Sequence, residues 1–146
     1  MRHVRLIASL ATALALMVST AAVVSAAGGR PYTVPMAGAE EAPGPGDPDG
    51  TGTAWFWVNP GQGEVCYVLE VEDIAPATAA HIHRAPAGSP GPVVVPLTAP
   101  TDGSSEGCTE VSRELALELI RTPEAVYVNV HNADFAPGAV RGQLSK

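Results

Sequence analysis

Val, Thr and aromatic residues recur in runs of five to eight positions, set apart by clusters of Gly, Pro and Asp. Within the runs, apolar and polar side chains alternate. This spacing predicts short antiparallel strands of a sandwich or barrel. Eight are expected, near 32–37, 51–58, 64–71, 79–84, 92–97, 107–111, 125–132 and 139–144. Asn59-Pro60-Gly61-Gln62-Gly63 is a turn by composition and should join the second and third strands as a hairpin. The stretch 40–50, EEAPGPGDPDG, holds too much Pro, Gly and acid to be an element and is expected to be a connecting loop. Its Glu40, Glu41, Asp47 and Asp49 are expected to be solvated. One helix is expected over 112–120, with Ser112 as its cap, an acid in the first turn and an end at Thr122-Pro123. Leu115, Ala116 and Leu119 should face the sheet, and Arg113, Glu114 and Glu118 should face water.

Because residues two apart share one face of a sheet, alternation also assigns direction. Val126, Val128 and Val130 should point inward, sending Tyr127, Asn129 and His131 outward together. Ile82 inward places His81 and His83 outward; Val140 and Leu144 inward place Arg141 and Gln143 outward. In Trp55-Phe56-Trp57 one tryptophan face is expected in the core and the other under the acidic loop. The pattern therefore gives an all-β antiparallel Greek-key sandwich or barrel of about eight strands with one short helix. No repeat of 20–50 residues is visible.

The first 26 residues change the picture of where the chain works. MRHVR is followed by an apolar run at 6–18 and then by small residues, the layout of a secretory signal, with cleavage expected after Ala26 or Ala27. The 13 apolar positions fall short of the roughly 20 needed to cross a bilayer as a helix. The expected domains are thus a signal at 1–26 and one folded domain at 27–146. Loss of Arg2 and Arg5 with the signal takes the net charge from −7 to −9. That sign, without a Lys/Arg cluster, excludes nucleic acid as a partner. In an exported protein Cys66 and Cys108 are expected to be a disulfide, which in the loop-closure picture stabilises by about 4 kcal/mol.

His81, Ile82 and His83 form a His-x-His strand, whose imidazoles start about 7 Å apart at the backbone. Two such rings can share one transition metal with a third from another strand, and His131 is the remaining histidine able to supply it. Imidazole suits copper, zinc, iron or nickel rather than calcium. Arg141, Asn129 and Asp134 are the expected companions of the histidines, and Arg141 paired to Asp134 or a loop acid is the simpler reading of that arginine. No Gly-x-Ser-x-Gly, paired-carboxylate or phosphate-cradling motif is present, so no catalytic residue is assigned.

Three separated stretches carry a family resemblance: ATAAHIHRAPAGSPGPVVVPL from 77, GC at 107–108, and VYVNVHNADFAPGAVRGQL from 126. Together with MAGAEEAP at 36–43 and GEVCYVLEV at 63–71, they resemble the CHRD domain, the module named for its repeats in chordin. The resemblance covers about 31–146 and implies a small extracellular all-β domain with no established reaction. A weaker resemblance is to copper/zinc superoxide dismutases, through AHIH at 80–83, VHNAD at 130–134 and GAVRG at 138–142. It implies copper ligands at His81, His83 and His131 and an anion-guiding Arg141, but the metal-bridging histidine and the zinc cluster have no counterparts. Three functional readings follow. The first is a secreted, non-enzymatic module that binds an extracellular protein or cell-envelope component and has no membrane contact after signal cleavage. The second is a copper or zinc protein, with redox activity open. The third keeps the histidines as a hydrogen-bonded cluster pinning the 85–91 loop.

Overall fold

A computed structural model describes residues 28–146; the expected signal segment and its cleavage point lie outside the described residues. Among the described residues eight strands form, β1 Arg30–Ala37, β2 Thr51–Asn59, β3 Glu64–Glu72, β4 Ala77–Arg84, β5 Val93–Leu97, β6 Ser104–Glu110, β7 Val126–Asn132 and β8 Val140–Gln143, with one α-helix, α1, at Arg113–Arg121. All ladders are antiparallel and the order is β5-β4-β7-β8-β1-β2-β3-β6. The open edges β5 and β6 are drawn together by side chains rather than by a ladder: Thr109 Oγ1 donates to Pro96 O at 3.2 Å and Ser105 Oγ to Thr98 O at 2.8 Å. Read across that seam, β7-β4-β5-β6 is the Greek-key arrangement, three hairpin-linked neighbours and a fourth strand returning beside the first.

Local chemistry sets these elements. In the β2–β3 turn, Asn59 Oδ1 accepts from Gly61 N and Gln62 N at 3.0 Å each, and Gly63, at φ 69°, takes the left-handed step that closes the hairpin. Ser112 Oγ accepts from Leu115 N at 3.1 Å and caps α1, whose Ala116 and Leu119 are buried and whose Leu115 and Ile120 pack against the core. Glu118 is only half-exposed and pairs with Arg84 through two bonds of 2.6 and 2.8 Å, in place of the free solvation expected for it. A short 3-10 turn at Pro123–Ala125 takes the residue with which the seventh strand was expected to begin.

The barrel interior is filled by alternate residues, including Val34, Met36, Ala54, Phe56, Val58, Leu69, Ile82, Val95, Val126, Val128 and Val130. Phe56 is 0% exposed, so Trp55 and Trp57 both turn outward and half-exposed. This corrects the expectation that a tryptophan would enter the core; the aromatic of the run with the right parity is Phe56. Cys66 and Cys108 face each other across the β3–β6 ladder and are disulfide-bonded. The stretch 40–50 is a loop, tied to the barrel where Gly46 N donates to Gly38 O and Asp47 N to Ala139 O. Among the described residues no helix is long and apolar enough to cross a membrane.

Phe56→Ala should cost about 3–5 kcal/mol of unfolding free energy, the range for truncating a fully buried aromatic. Trp57→Ala should cost clearly less, because that ring is already partly in water. Urea unfolding of the two variants checks the assigned faces.

Candidate metal centre

β4 pairs with β7 so that Ala79 faces His131, His81 faces Asn129 and His83 faces Tyr127. With one residue between them on the same face, His81 and His83 stand over the outer surface of β4, and His131 lies diagonally across from His81, within reach of a long side chain. His81 Nδ1 and His131 Nε2 are 3.2 Å apart, and one ligand nitrogen from each of the three rings lies within 4.8 Å of the others. The ring centroids are 5.1 to 6.1 Å apart. A metal held at about 2.0–2.1 Å by tetrahedral nitrogens spaces them at about 3.4 Å. One edge of the triangle is already close to that length, and the other two are no longer than 4.8 Å.

Two of the three rings are set by backbone carbonyls. His83 Nδ1 donates to Gly91 O at 2.8 Å and His131 Nδ1 to Ala136 O at 3.0 Å. A neutral imidazole that donates at one nitrogen carries its lone pair at the other, so both rings turn a bare Nε2 toward the cluster. His83 Nε2 is buried and has no hydrogen-bond partner. His131 Nε2 accepts from His81 Nδ1, so His81 would have to carry its proton on its own Nε2 to offer Nδ1 to a metal. Carbonyls that fix imidazole orientation in this way are the usual outer partners of metal-ligating histidines.

The outward face is not a wet surface. His83 is 8% exposed, covered by the loop that follows β4, while His81 and His131 are half-buried. Burial holds the His81 pKa below the usual imidazole range, with the neighbouring His131 and His83 adding to the effect. Burial also lowers that of His131, against the hydrogen bond to Ala136 and with a further push from His83. Both rings are therefore neutral, the form a metal requires, at neutral pH.

The expected companions of the histidines fall in different places. Asn129 is 1% exposed, between His81 and Arg141 in the pairing, and its Oδ1 is buried without a partner. Asp134 is exposed in the turn after β7. Arg141 reaches neither Asp134 nor solvent: it is 1% exposed, and donates to Ser89 O and Pro86 O at 3.0 Å and to Gln143 Oε1 at 3.3 Å. Its guanidinium carbon lies 3.4 Å from the centre of the Tyr127 ring. Glu41 is also misjudged as a solvated loop acid: a Cβ on Gly138 would lie 2.1 Å from its carboxylate, and burial raises its pKa although a hydrogen bond from Asn129 opposes this. Tyr127 and Glu41 are the two neighbours that sequence reasoning did not assign. Strand parity alone placed Tyr127 on this face, whereas nothing in the acidic loop distinguished Glu41 from Glu40.

With this geometry in place, the comparison with known families falls on the same residues: the CHRD domain model matches residues 32–144. The chain belongs to the CHRD domain family. No curated protein and no solved structure matches it.

In metal-free protein the depressed His81 and His131 pKa values give stability a definite pH dependence. The unfolded chain binds these protons near pH 6.5, before the folded chain does. The stabilisation is fully present above about pH 6.5 and is lost as pH falls through the lower folded values. Glu41, raised in the fold, acts with the opposite sign in the carboxylate range. Urea unfolding of chelator-treated protein between pH 7.5 and 5.5 should show the decline, and the His81→Gln/His131→Gln double variant should be markedly flatter. An equal slope in that variant would refute the assignment.

Proposed function

We propose that this chain is an exported CHRD domain that binds one copper or zinc ion through His81, His83 and His131. The carrying observation is the buried, unpartnered Nε2 of His83, turned toward two other imidazoles whose ligand nitrogens are already close. An unsatisfied buried nitrogen costs on the order of 1–3 kcal/mol, and a metal ion removes that cost. Three nitrogens would leave a coordination position open on a bound ion. Bound copper would supply one-electron chemistry, and bound zinc Lewis acidity. The protein's own contribution is a set of three imidazoles, two of them oriented by backbone carbonyls. Superoxide dismutation has less support, because the guiding arginine it would use is buried and occupied by backbone carbonyls. Export is supported by the signal-like first 26 residues together with the Cys66–Cys108 disulfide, which suits an oxidising compartment.

A second reading, an interaction module for an extracellular protein or cell-envelope component, draws on the outer face of β2 and β3. There Trp55 and Trp57 lie half-exposed beside Val68 and the disulfide, with Glu70 at the margin. Aromatic rings of this kind are favoured in binding surfaces.

Protein prepared without a histidine tag should bind one equivalent of copper or zinc. His81→Ala and His131→Ala should each weaken binding by more than about 100-fold, beyond the 10–100-fold expected for losing an outer partner. Their melting temperatures without metal should stay close to wild type. Titration calorimetry with elemental analysis measures this, and wild-type protein that takes up no metal would sink the reading.

A further inference from the structure

Tyr127 is 3% exposed and contacts His83, Arg141 and Gly91. Its ring stacks on the His83 imidazole, with centroids 4.8 Å apart and planes 7° from parallel. β7 lies between β4 and β8, so His83 and Arg141 approach the Tyr127 ring from opposite sides. The result is a three-layer stack of imidazole, phenol and guanidinium. The same three side chains hold the loop after β4. Gly91 N donates to Tyr127 Oη at 3.3 Å, Gly91 O accepts from His83 Nδ1, and Arg141 bonds Ser89 O and Pro86 O. Gln143 adds a bond to Ala85 O at 3.0 Å, and Arg84 N donates to Pro92 O at 3.0 Å, so the loop is tied at both ends. At Gly91 itself a Cβ would come within 2.1 Å of Arg84 O, so the carbonyl that His83 uses can approach only because this residue has no side chain.

We propose that Tyr127 and Arg141 are the positioning residues of the three-histidine centre: they lock the His83 ring and the 86–91 loop into one block and so fix which imidazole nitrogen faces the metal. Neither belongs to the three-histidine set, and the Tyr127 hydroxyl oxygen is taken up by Gly91 N. Arg141 acts through two layers, pressing Tyr127 onto His83 and holding the loop whose Gly91 carbonyl keeps the His83 proton on Nδ1. Binding energy at Nε2 is then not spent on ordering the ring, since both its plane and its tautomer are set beforehand. The inference rests on the metal-binding reading for what Nε2 binds, but not for how the ring is held.

The test measures both levels on the full chain. Nitrogen-15 NMR of the metal-free protein should show the His83 ring with its proton on Nδ1, the nitrogen that faces Gly91 O, and a bare Nε2. In Tyr127→Leu and Arg141→Lys the two tautomers should mix, and zinc binding should weaken about 10–100-fold. Tyr127→Phe, which loses only the bond from Gly91 N, should keep the stack and show a smaller loss. A general loss of stability would lower melting temperature without altering the tautomer, so the NMR signature separates positioning from bulk effects. Folded Tyr127→Leu with wild-type tautomer and zinc affinity would overturn the proposal; if that variant fails to fold, the same result in Arg141→Lys overturns it. Wild-type protein that binds no zinc would refute the metal reading alone, and the tautomer comparison would still decide the positioning claim.

Discussion

The antiparallel register between β4 and β7 is the constraint on which the functional face depends. It sets Ala79 opposite His131, and with it the diagonal that brings His81 and His131 to 3.2 Å. A slip of one residue would exchange the faces, burying histidines in the barrel and exposing Ile82 or the valines of β7. The core enforces the register, because Ile82, Val126, Val128 and Val130 are all completely buried on the other side of the same strands. The apolar interior and the polar cluster outside are thus two consequences of one pairing.

Covering that outer face is the work of backbone carbonyls. His83 and His131 each give a proton to a carbonyl in the loop that follows their own strand, at Gly91 and Ala136. Arg141 gives two protons to the same loop as His83. A buried arginine without a carboxylate in hydrogen-bond contact would be costly, and here hydrogen bonds to carbonyls and the face of Tyr127 take up its donors and its charge. Glu41 lies close enough for Arg141 to lower its pKa electrostatically, although burial dominates and leaves it raised. The polar atoms of this region are unevenly satisfied. Arg141 makes three hydrogen bonds and the Gln143 amide nitrogen reaches three carbonyls, while His83 Nε2, Asn129 Oδ1 and Glu41 Oε1 are buried without partners. Native folds leave few such atoms, and this group adjoins the three-imidazole centre.

The other half of the barrel is built differently. β1, β2 and β3 form a long meander whose inward residues make up much of the core, and the Cys66–Cys108 bond ties β3 to β6 near the open seam. The helix joins this half to the other, since Tyr32 Oη donates to Leu119 O at 3.1 Å and Glu118 holds Arg84 at the end of β4. That connection supports the strand that carries the histidines without entering their environment.

Strand positions, the helix with its Ser112 cap, the hairpin turn and the inward or outward sense of β4, β7 and β8 were legible from period-two alternation and turn chemistry, because these depend on neighbours in sequence. In Trp55-Phe56-Trp57 the expectation sent a tryptophan to the core, where the structure places Phe56. The three histidines could be named from the sequence, but their convergence could not, since β4 and β7 are about fifty residues apart and their adjacency follows from the Greek-key crossing. The same holds for Arg141, whose partners Pro86 and Ser89 are backbone carbonyls with no mark in side-chain identity, and for Glu41, set apart from Glu40 only by the path of the loop. Local rules decided which side of each strand is polar. Only tertiary packing decided what covers that side, because a loop's fold over a neighbouring strand is fixed by long-range hydrogen bonds and shape.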